Sequence, residues 1–268
     1  NQVVSDYVEC GYEKIFICPF RNSSPSRDKS TNNKGSKLLP NSPFADMKYI
    51  DLLSTLHKKT NRNYLERVMD NEFPKAKASF LAKKWGKEYW DGDRRTGYGG
   101  MHYDGRWKPV AKRIIDTYSL TDHSHVLDVG CGKGFLMHEI NLLCPGIKVY
   151  GLDISEYALN NAKNEVKDKI TLGCATNLPW PKNKFDLVIS INTLHNLQNY
   201  KLHSALKEIG RVSRKNKYVC VESYRSEEEK ANLLFWQLTC ESFCTPDEWK
   251  WWFEMTGYDG DYSFIYFE

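Results

Sequence analysis

Three glycines with single-residue spacing are the part of this 268-residue sequence best suited to hold a ligand. They are Gly130, Gly132 and Gly134, and they follow an apolar run at 125–129 that predicts a buried strand. Glycine lets the backbone turn tightly and approach a ligand without a Cβ in the way. The helical pattern over 135–143 would present unpaired N–H groups at its first turn. The combination predicts a ligand-binding turn between a strand and a helix.

A carboxylate marks the end of each strand that flanks this turn and helix. Asp128 lies near the end of the first strand, and Asp153 follows the apolar run 147–152, which predicts the second strand. An acid at the carboxyl end of the second strand of such a unit can accept hydrogen bonds from a ribose diol. The pattern therefore predicts a nucleoside-containing ligand. NAD-binding domains contain a similar unit and are the alternative at this point.

These segments resemble the first two motifs of the class I S-adenosylmethionine (SAM)-dependent methyltransferases, particularly the broad small-molecule branch. The motifs are residues 128–134 and 151–155, and the resemblance extends over 110–268. In that family the glycine turn passes the methionine part of the cofactor, and the acid that matches Asp153 holds the ribose hydroxyls. The alternating glycines and the later apolar strand at 185–191 favour this family over NAD-binding domains.

A third segment, 174–180, looks like the family's loop beside the adenine. An acid is often found there near the positions of Ala175 and Thr176, and its absence leaves adenine recognition to backbone groups or to Thr176. The resemblance implies SAM as the cofactor and S-adenosylhomocysteine as the product. The cofactor-binding residues it implies are Asp128, Gly130, Cys131, Gly132, Gly134, Asp153, Ile154, Ala175, Thr176 and Asn192.

Three residues are candidates for the catalytic base. Methyl transfer from a sulfonium is an in-line displacement, so an acceptor hydroxyl must be aligned and must lose a proton. His195 follows the fourth strand, which leads to the acceptor, and resembles a histidine that acts as a base in some O-methyltransferases of the family. His102, in an aromatic glycine-rich segment, and Glu222, at the end of the fifth strand, are the other two. Since His195 can equally pack or shape the cofactor pocket, the choice stays open.

Several specialised acceptor classes lack their motifs here. Residues 190–193 read Ser-Ile-Asn-Thr, where enzymes that methylate exocyclic amines of nucleic-acid bases commonly show Asn/Asp-Pro-Pro-aromatic. Asn192 and His195 do not make the acidic cluster that the metal-dependent catecholate type needs, so no metal is expected. A paired-glutamate loop of the protein-arginine type does not follow the fourth strand. These absences favour a small polar acceptor.

The segment between Trp85 and Trp107 combines aromatic residues, glycines and three arginines: Arg94, Arg95 and Arg106. Guanidinium groups suit phosphate or carboxylate, and ring faces suit a sugar or a planar group. The alternative is a surface loop whose rings only pin it to the body of the protein. The leading hypothesis is methylation of a small, anionic or sugar-like acceptor, such as a sugar hydroxyl of a nucleotide-sugar or surface-polysaccharide intermediate.

Two other functions stay open, and the uneven distribution of charge along the chain supports the first of them. Residues 1–120 contain 22 Lys and Arg against 14 Asp and Glu, whereas 121–268 contain 16 against 20. A basic first half can contact an anionic partner. One alternative is therefore a methyltransferase that acts on RNA or tRNA. The other is a SAM-binding partner subunit without catalytic activity, because a cofactor motif alone does not establish turnover.

From residue 125 onward strand and helix patterns alternate, which predicts an α/β fold with a doubly wound, mostly parallel sheet of the seven-stranded type. Strands are expected near 125–129, 147–152, 169–173, 185–191, 217–222 and 262–267. Helices are expected near 134–143, 156–166, 201–213, 227–239 and 246–256. Few residues follow the last helix, so the family's closing hairpin should be shortened. Residues 111–268 would form the SAM-binding domain.

Residues 1–110 are expected to form an N-terminal extension. It would contain an arm over 1–20, a flexible linker over 21–43, helices, and the aromatic segment. The helices are predicted over 45–57, after Thr60 and Asn61, and from Pro74 to about Trp85.

The location expected for this protein is cytoplasmic. The first ten residues lack the basic start and apolar stretch of a secretory signal, and no apolar run approaches the roughly 20 residues of a membrane span. The eight cysteines contain no Cys-x-x-Cys pair, which favours reduced thiols.

Overall fold

A parallel sheet forms the centre of the protein. The computed structural model describes residues 47–56 and 63–268, so the predicted arm and linker lie outside the described residues. The strands are β1 (His125–Val129), β2 (Lys148–Asp153), β3 (Ile170–Leu172), β4 (Phe185–Ile191), β5 (Ser213–Glu222) and β6 (Asp261–Ile265). Their order is β3-β2-β1-β4-β5-β6, and every paired neighbour is parallel. The chain order reverses between β1 and β4, and such a switch point opens a crevice at the carboxyl ends of the strands.

Helices cover both faces of this sheet. They are α1 (Glu66–Met69), α2 (Lys75–Ala82), α3 (Lys87–Asp91), α4 (Lys108–Tyr118), α5 (Phe135–Leu143), α6 (Glu156–Asn160), α7 (Asn199–Val212), α8 (Glu227–Trp236) and α9 (Pro246–Thr256). Successive strand residues point to opposite faces. Val126 accordingly packs in one core with Ile114 of α4, and Leu127 packs in the other with Leu206 of α7. The predicted doubly wound α/β fold is confirmed.

Some ends of the helices and strands agree with the prediction from the sequence, and others differ from it. In α9, Thr245 Oγ1 accepts from the Glu248 N–H, and Glu248 Oε2 accepts from the Thr245 N–H, which forms a capping box. Helix α6 ends at Asn160, six residues before the predicted end, and turns follow it. Helix α2 ends at Ala82 rather than near Trp85. Strand β5 starts at Ser213, earlier than expected.

The helix predicted over 45–57 is wrong for the residues described there. Tyr49 forms an isolated parallel bridge with Tyr262, and the Ile50 N–H donates to the Tyr262 carbonyl at 2.9 Å. Leu52 and Leu53 are buried in the core nonetheless. Main-chain pairing with the edge of the sheet has therefore replaced the helix that three-residue apolar spacing predicted.

The sheet has six strands in the described part of the chain, and β6 pairs with β5 in parallel. The described residues contain no antiparallel partner for β6, and the 48–50 segment lies along its outer edge instead. No helix in the described ranges is both long and apolar enough to cross a membrane. The division of the chain at residue 110 stays a prediction.

Candidate functional site

A first pocket lies in the crevice at the switch point and encloses about 1090 Å³, its open mouth included. Its floor comes from the turn after β1 and from the ends of β2, β3 and β4. Its roof comes from the aromatic segment between Trp85 and Trp107. Loops at the carboxyl ends of parallel strands thus meet one separate segment of chain here, as expected of a ligand site in this fold class.

The glycine turn has a backbone that only glycine adopts easily. Gly130 has a φ of 83° and Gly132 a φ of 55°, both in the left-handed region. A Cβ on Gly130 would lie 2.0 Å from Thr193 Oγ1, and one on Gly132 would lie 2.8 Å from the Trp90 ring. The alternating glycines therefore let the turn pass beneath two side chains that close the pocket.

Two buried acids give the first pocket a negative character. Asp153 Oδ2 accepts from the Gly132 N–H at 2.7 Å, and Oδ1 accepts from the Ser155 N–H at 2.8 Å. Burial raises the pKa of Asp153 although these hydrogen bonds oppose the shift. Burial, and then the charge of Asp153, raise the pKa of Asp128 to about 7. A positively charged ligand would be favoured at this floor, because it would offset the cost of two buried carboxylates.

Most of the predicted cofactor residues line the first pocket. Those that do are Asp128, Gly130, Cys131, Gly132, Asp153, Ile154, Ala175 and Asn192. Gly134 lies behind the pocket at the start of α5, where a Cβ would approach Val166 Cγ2 to 2.8 Å. Thr176 is not among the lining residues, and its hydroxyl donates to Cys174 Sγ at 3.1 Å. Gly173 and Cys174 occupy that side of the pocket instead.

The aromatic segment both packs against the protein and lines the pocket, so its two interpretations are not exclusive. Trp90 Nε1 donates to Ser155 Oγ at 2.8 Å, just after β2. The Trp90 and Tyr98 rings stack with centroids 5.6 Å apart, and Tyr89 meets both rings edge-on. The rings that line the pocket belong to Trp85, Tyr89, Trp90, Tyr98 and Trp107.

An ion pair between a buried lysine and a half-buried aspartate joins this roof to the floor. Lys133 Nζ lies 2.7 Å from both oxygens of Asp91 and 2.9 Å from the Met101 carbonyl oxygen. Lys133 is 4% exposed, so its charge has little access to water. Burial raises the pKa of Asp91, but hydrogen bonds from Lys133, the Met101 N–H and Tyr157 outweigh it and hold that pKa below its usual value. This contact was not predicted from the sequence. The one feature that pointed to it was the position of a lysine inside the glycine turn.

A second pocket, of about 790 Å³, adjoins the first. The two share the residues Tyr89, Tyr98, Asn192 and Asn196. Asn192 has a φ of 55°, and its Oδ1 and that of Asn196 are buried acceptors without a hydrogen-bond partner in the described ranges. A donor on a ligand at this shared wall would satisfy one of them, which makes the wall a place for polar recognition.

His195 and Glu222 meet in the second pocket, and both are almost fully buried. The Glu222 N–H donates to His195 Nδ1 at 3.3 Å, which places the proton of the neutral ring on Nε2. That Nε2 is 3.4 Å from Glu222 Oε2, and Gln237 Nε2 donates to Oε1. Burial lowers the pKa of His195 to about 3. The ring is therefore neutral at physiological pH, and its Nδ1 is already in use as a hydrogen-bond acceptor.

Other predicted residues are placed apart from this pair. His102 is exposed and lines neither pocket. Arg95 and Arg106 form ion pairs with Asp93 and Asp104 on the surface. Arg94 lines the second pocket. Among residues 47–56 and 63–268, no group of three or more metal-ligating side chains could hold a metal ion.

The doubly wound parallel sheet, the left-handed glycine turn and the paired acids at the switch point define the Rossmann-like class to which class I SAM-dependent methyltransferases belong. The family profile described as a methyltransferase domain matches residues 120–257, which is more than half of the chain. The chain belongs to this family of SAM-dependent methyltransferases, as the sequence motifs predicted.

Individual relatives match shorter stretches. The chain is 35% identical to the arginine-hydroxylase NDUFAF5, mitochondrial, of Rattus norvegicus over 98 residues. This aligned stretch covers 35% of this chain and 28% of that protein. It is 30% identical over 130 residues to the tRNA (carboxymethyluridine(34)-5-O)-methyltransferase of Arabidopsis thaliana, 48% of this chain and 30% of that protein. The chain thus spans less than a third of either relative.

Among solved structures, a complex between the Haloferax volcanii Trm112 methyltransferase activator and the putative methyltransferase is similar with a TM-score of 0.47 and 22% identity. The similarity covers 55% of this chain and 66% of that chain.

Proposed function

We propose that this protein transfers a methyl group from SAM to a small polar acceptor bound in the second pocket. The observation that carries the proposal is the wall shared by the two pockets, which brings Tyr89, Tyr98, Asn192 and Asn196 against both. A donor in one pocket and an acceptor in the other would meet at this wall. Methyl transfer needs such an alignment, because holding two reactants in line removes much of the entropic barrier.

The first pocket is where SAM would be held. Its floor has the acids Asp128 and Asp153, which suit a cofactor that carries a positively charged sulfur and an ammonium group. By analogy with the family, Asp153 would hold the ribose, and the backbone of Gly130 and Gly132 would pass the methionine part. When bound, the cofactor supplies an electrophilic methyl group and leaves as the neutral thioether S-adenosylhomocysteine.

Glu222 is the residue we assign as the proton acceptor. An acceptor hydroxyl in the second pocket would form the new bond to the methyl carbon as the bond from that carbon to sulfur breaks. Its proton would pass to the Glu222 carboxylate, which has about four lone-pair positions. His195 is less suitable, because Nδ1 already accepts from a backbone N–H and Nε2 carries the proton. We therefore assign His195 the role of positioning the carboxylate, and His102 no role in the reaction.

A tRNA-directed methyltransferase is the second candidate. It is favoured by the Arabidopsis relative and by the exposed lysines in and just after α2, which are Lys77, Lys83 and Lys84.

The test combines cofactor binding with a screen for methyl release. Calorimetry would measure the affinity for SAM and S-adenosylhomocysteine, and a methyl-release assay would then cover nucleotide sugars, other sugar phosphates and RNA. Turnover on small acceptors supports the proposal. Turnover on RNA alone, with an affinity that falls steeply as salt is raised, would replace it with the second candidate.

Two further outcomes would contradict the proposal in different ways. SAM binding without turnover on any acceptor would favour a non-catalytic partner subunit. No binding of SAM or its product at all would remove the cofactor assignment itself, and with it the role proposed for Asp153.

A further inference from the structure

One part of the second pocket is cationic, whereas another part contains His195 and Glu222. The cationic part is built from Arg67 of α1, Arg94 after α3, and Trp236 at the end of α8. None of these three comes from the sheet. Segments outside the sheet therefore give this part of the pocket its charge.

Two guanidinium groups approach a single indole ring. The centre of the Arg67 guanidinium lies 4.3 Å from the Trp236 ring centroid, and that of Arg94 lies 5.2 Å from it. Arg67 Nη1 donates to the Trp236 carbonyl at 2.6 Å, and Nη2 donates to the Arg94 carbonyl at 3.2 Å. Two guanidinium groups thus meet at one ring, and the planar fork of N–H donors of a guanidinium matches a carboxylate or phosphoryl group.

The field of this cluster affects a neighbouring lysine. Burial, and then the positive charge of Arg67, lower the pKa of Lys75, whose Nζ donates to the Leu234 carbonyl. Burial contributes more to this shift than Arg67 does, and the smaller contribution shows that the charge of Arg67 is felt at Lys75.

Arg94 differs from the two other arginines of the aromatic segment. Arg95 pairs with Asp93 at 2.8 Å and with Asp70 at 3.6 Å, and Arg106 pairs with Asp104. Within the described part of the chain Arg94 has no carboxylate partner, and its side chain donates to the Gly97 carbonyl. A guanidinium has five N–H donors in a planar fork that matches carboxylate and phosphate. Arg94 can therefore bind an anion without first breaking an ion pair.

Two of the acids near the pocket are already paired with an arginine outside this cluster. Asp70 and Asp93, in the groove that continues from the second pocket, are both held by Arg95. Glu66 lines the same groove. Glu222 lines the second pocket itself and would repel a bound anion. An acceptor with one anionic group is thereby oriented, because its charged end is favoured beside the arginines and disfavoured beside Glu222.

We propose that Arg67, Arg94 and Trp236 form an anion-binding subsite that takes a carboxylate or phosphoryl group of the acceptor and directs the hydroxyl of that molecule toward Glu222. This inference rests on the proposed function in naming the ligand an acceptor. Binding of an anion at the subsite does not depend on it.

The experiment measures anion binding directly. Sodium pyrophosphate, sodium phosphate and sodium succinate would each be titrated by calorimetry into the full-length protein with S-adenosylhomocysteine present, at ionic strength held constant with sodium chloride. The variants are Arg94→Gln, Arg94→Lys, and the matched control Arg106→Gln, whose ion pair is on the surface. Because Arg94 is exposed, the Gln variant should fold normally, and a thermal melt would verify this.

We expect the wild type to bind at least one anion, Arg94→Gln to weaken that binding by about tenfold or more, and Arg94→Lys to retain part of it. Arg106→Gln should bind as the wild type does. Preference for phosphate or pyrophosphate would identify a phosphoryl group, and preference for succinate a carboxylate. No saturable binding to the wild type, or equal losses in the Arg94 and Arg106 variants, would overturn the proposal.

The same samples separate this proposal from the proposed function. If S-adenosylhomocysteine does not bind but the Arg94-dependent anion binding persists, the subsite stands and the methyltransferase assignment fails. If the cofactor binds and the anions do not, the subsite fails alone.

Discussion

The two pockets share a wall but are built from different kinds of residue. The floor of the first pocket depends on backbone and short side chains around the β1 turn and the end of β2, within 128–155 and the adjoining strand ends, whereas the aromatic segment forms its roof. The second depends on long side chains brought together across the chain, and the hydrogen-bonded pair Arg67 and Trp236 is separated by 169 positions. The floor proposed to hold the cofactor is thus part of the sheet and its turns, whereas the arginines of the second pocket come from segments outside the sheet.

The electrostatics of the two pockets differ in the same way. The first has two buried acids whose pKa values are raised by burial, so it favours a cationic ligand. The second has two arginines at one part, and at another Glu222 beside a histidine that burial keeps neutral, so we expect an anion to bind only beside the arginines. The four predictions below test this contrast.

The largest effect is expected from Glu222→Gln. If Glu222 accepts the proton, the variant should lose about 10²–10⁴-fold in kcat while its affinity for SAM stays the same. Single-turnover rates and calorimetry would measure the two quantities. Glu222→Asp should recover part of the rate, and His195→Ala should lose less than Glu222→Gln. A larger loss in His195→Ala, with Glu222→Gln near the wild type, would make His195 the base, as its resemblance to the family histidine first suggested.

Lys133→Met tests whether the roof of the first pocket is held by the buried ion pair with Asp91. Removing the buried lysine leaves the half-buried carboxylate of Asp91 without its partner, so the free energy of unfolding should fall by about 2–3 kcal/mol. Urea unfolding would measure it, and a double-mutant cycle with Asp91→Asn would isolate the pair. Lys112→Met is the control, because its pair with Asp116 is exposed and should contribute about 0.5 kcal/mol or less. Similar losses in both lysine variants would reject the role of the buried pair.

Asp153→Ala should weaken SAM binding by about 1–3 kcal/mol, the usual cost of losing hydrogen bonds to a charged group. Anion binding at the second pocket should be unaffected, since the two acids and the arginines lie in different pockets. Calorimetry on both ligands would measure this. The control is Asp168→Ala, an exposed acid outside the first pocket. Unchanged SAM affinity in Asp153→Ala would refute the assignment of Asp153 to the ribose.

The smallest effect is a dependence on pH. The pKa of Asp128 is about 7, so the carboxyl group is mostly protonated at pH 6 and mostly ionised at pH 8. A cationic cofactor binds better to the ionised form, and binding should therefore strengthen by about tenfold from pH 6 to pH 8. Asp128→Asn should abolish this dependence. An affinity that is constant with pH in the wild type would show that Asp128 does not sense the charge of the cofactor.

Strands were predictable because their signals are local. The apolar runs that became β1 and β4 have the predicted bounds, 125–129 and 185–191, and glycine or charged residues flank them. The helix over 45–57 was not predictable in this way. Its apolar spacing is helical, but the sheet edge at Tyr262 offers its backbone hydrogen bonds that no local pattern reveals.

The candidate site shows the same difference between local signals and long-range contacts. Eight of the ten cofactor residues implied by the motifs line the first pocket, whereas Gly134 and Thr176 do not. On the acceptor side, the sequence pointed to the residue types but not to which of these residues lie together. Arg94 was one of three equivalent arginines in the sequence, and only the structure separates it from Arg95 and Arg106.

The sequence by itself determined the parallel α/β fold, the glycine turn and the family, because hydrophobic periodicity and glycine spacing act over a few neighbouring residues. Only the tertiary structure decided that Lys133 holds the aromatic roof, that Glu222 and His195 form a pair, and that Arg67 and Arg94 meet at Trp236. These contacts join residues far apart in the chain. Their geometry is set by how the helices pack around the sheet, which no short stretch of sequence specifies.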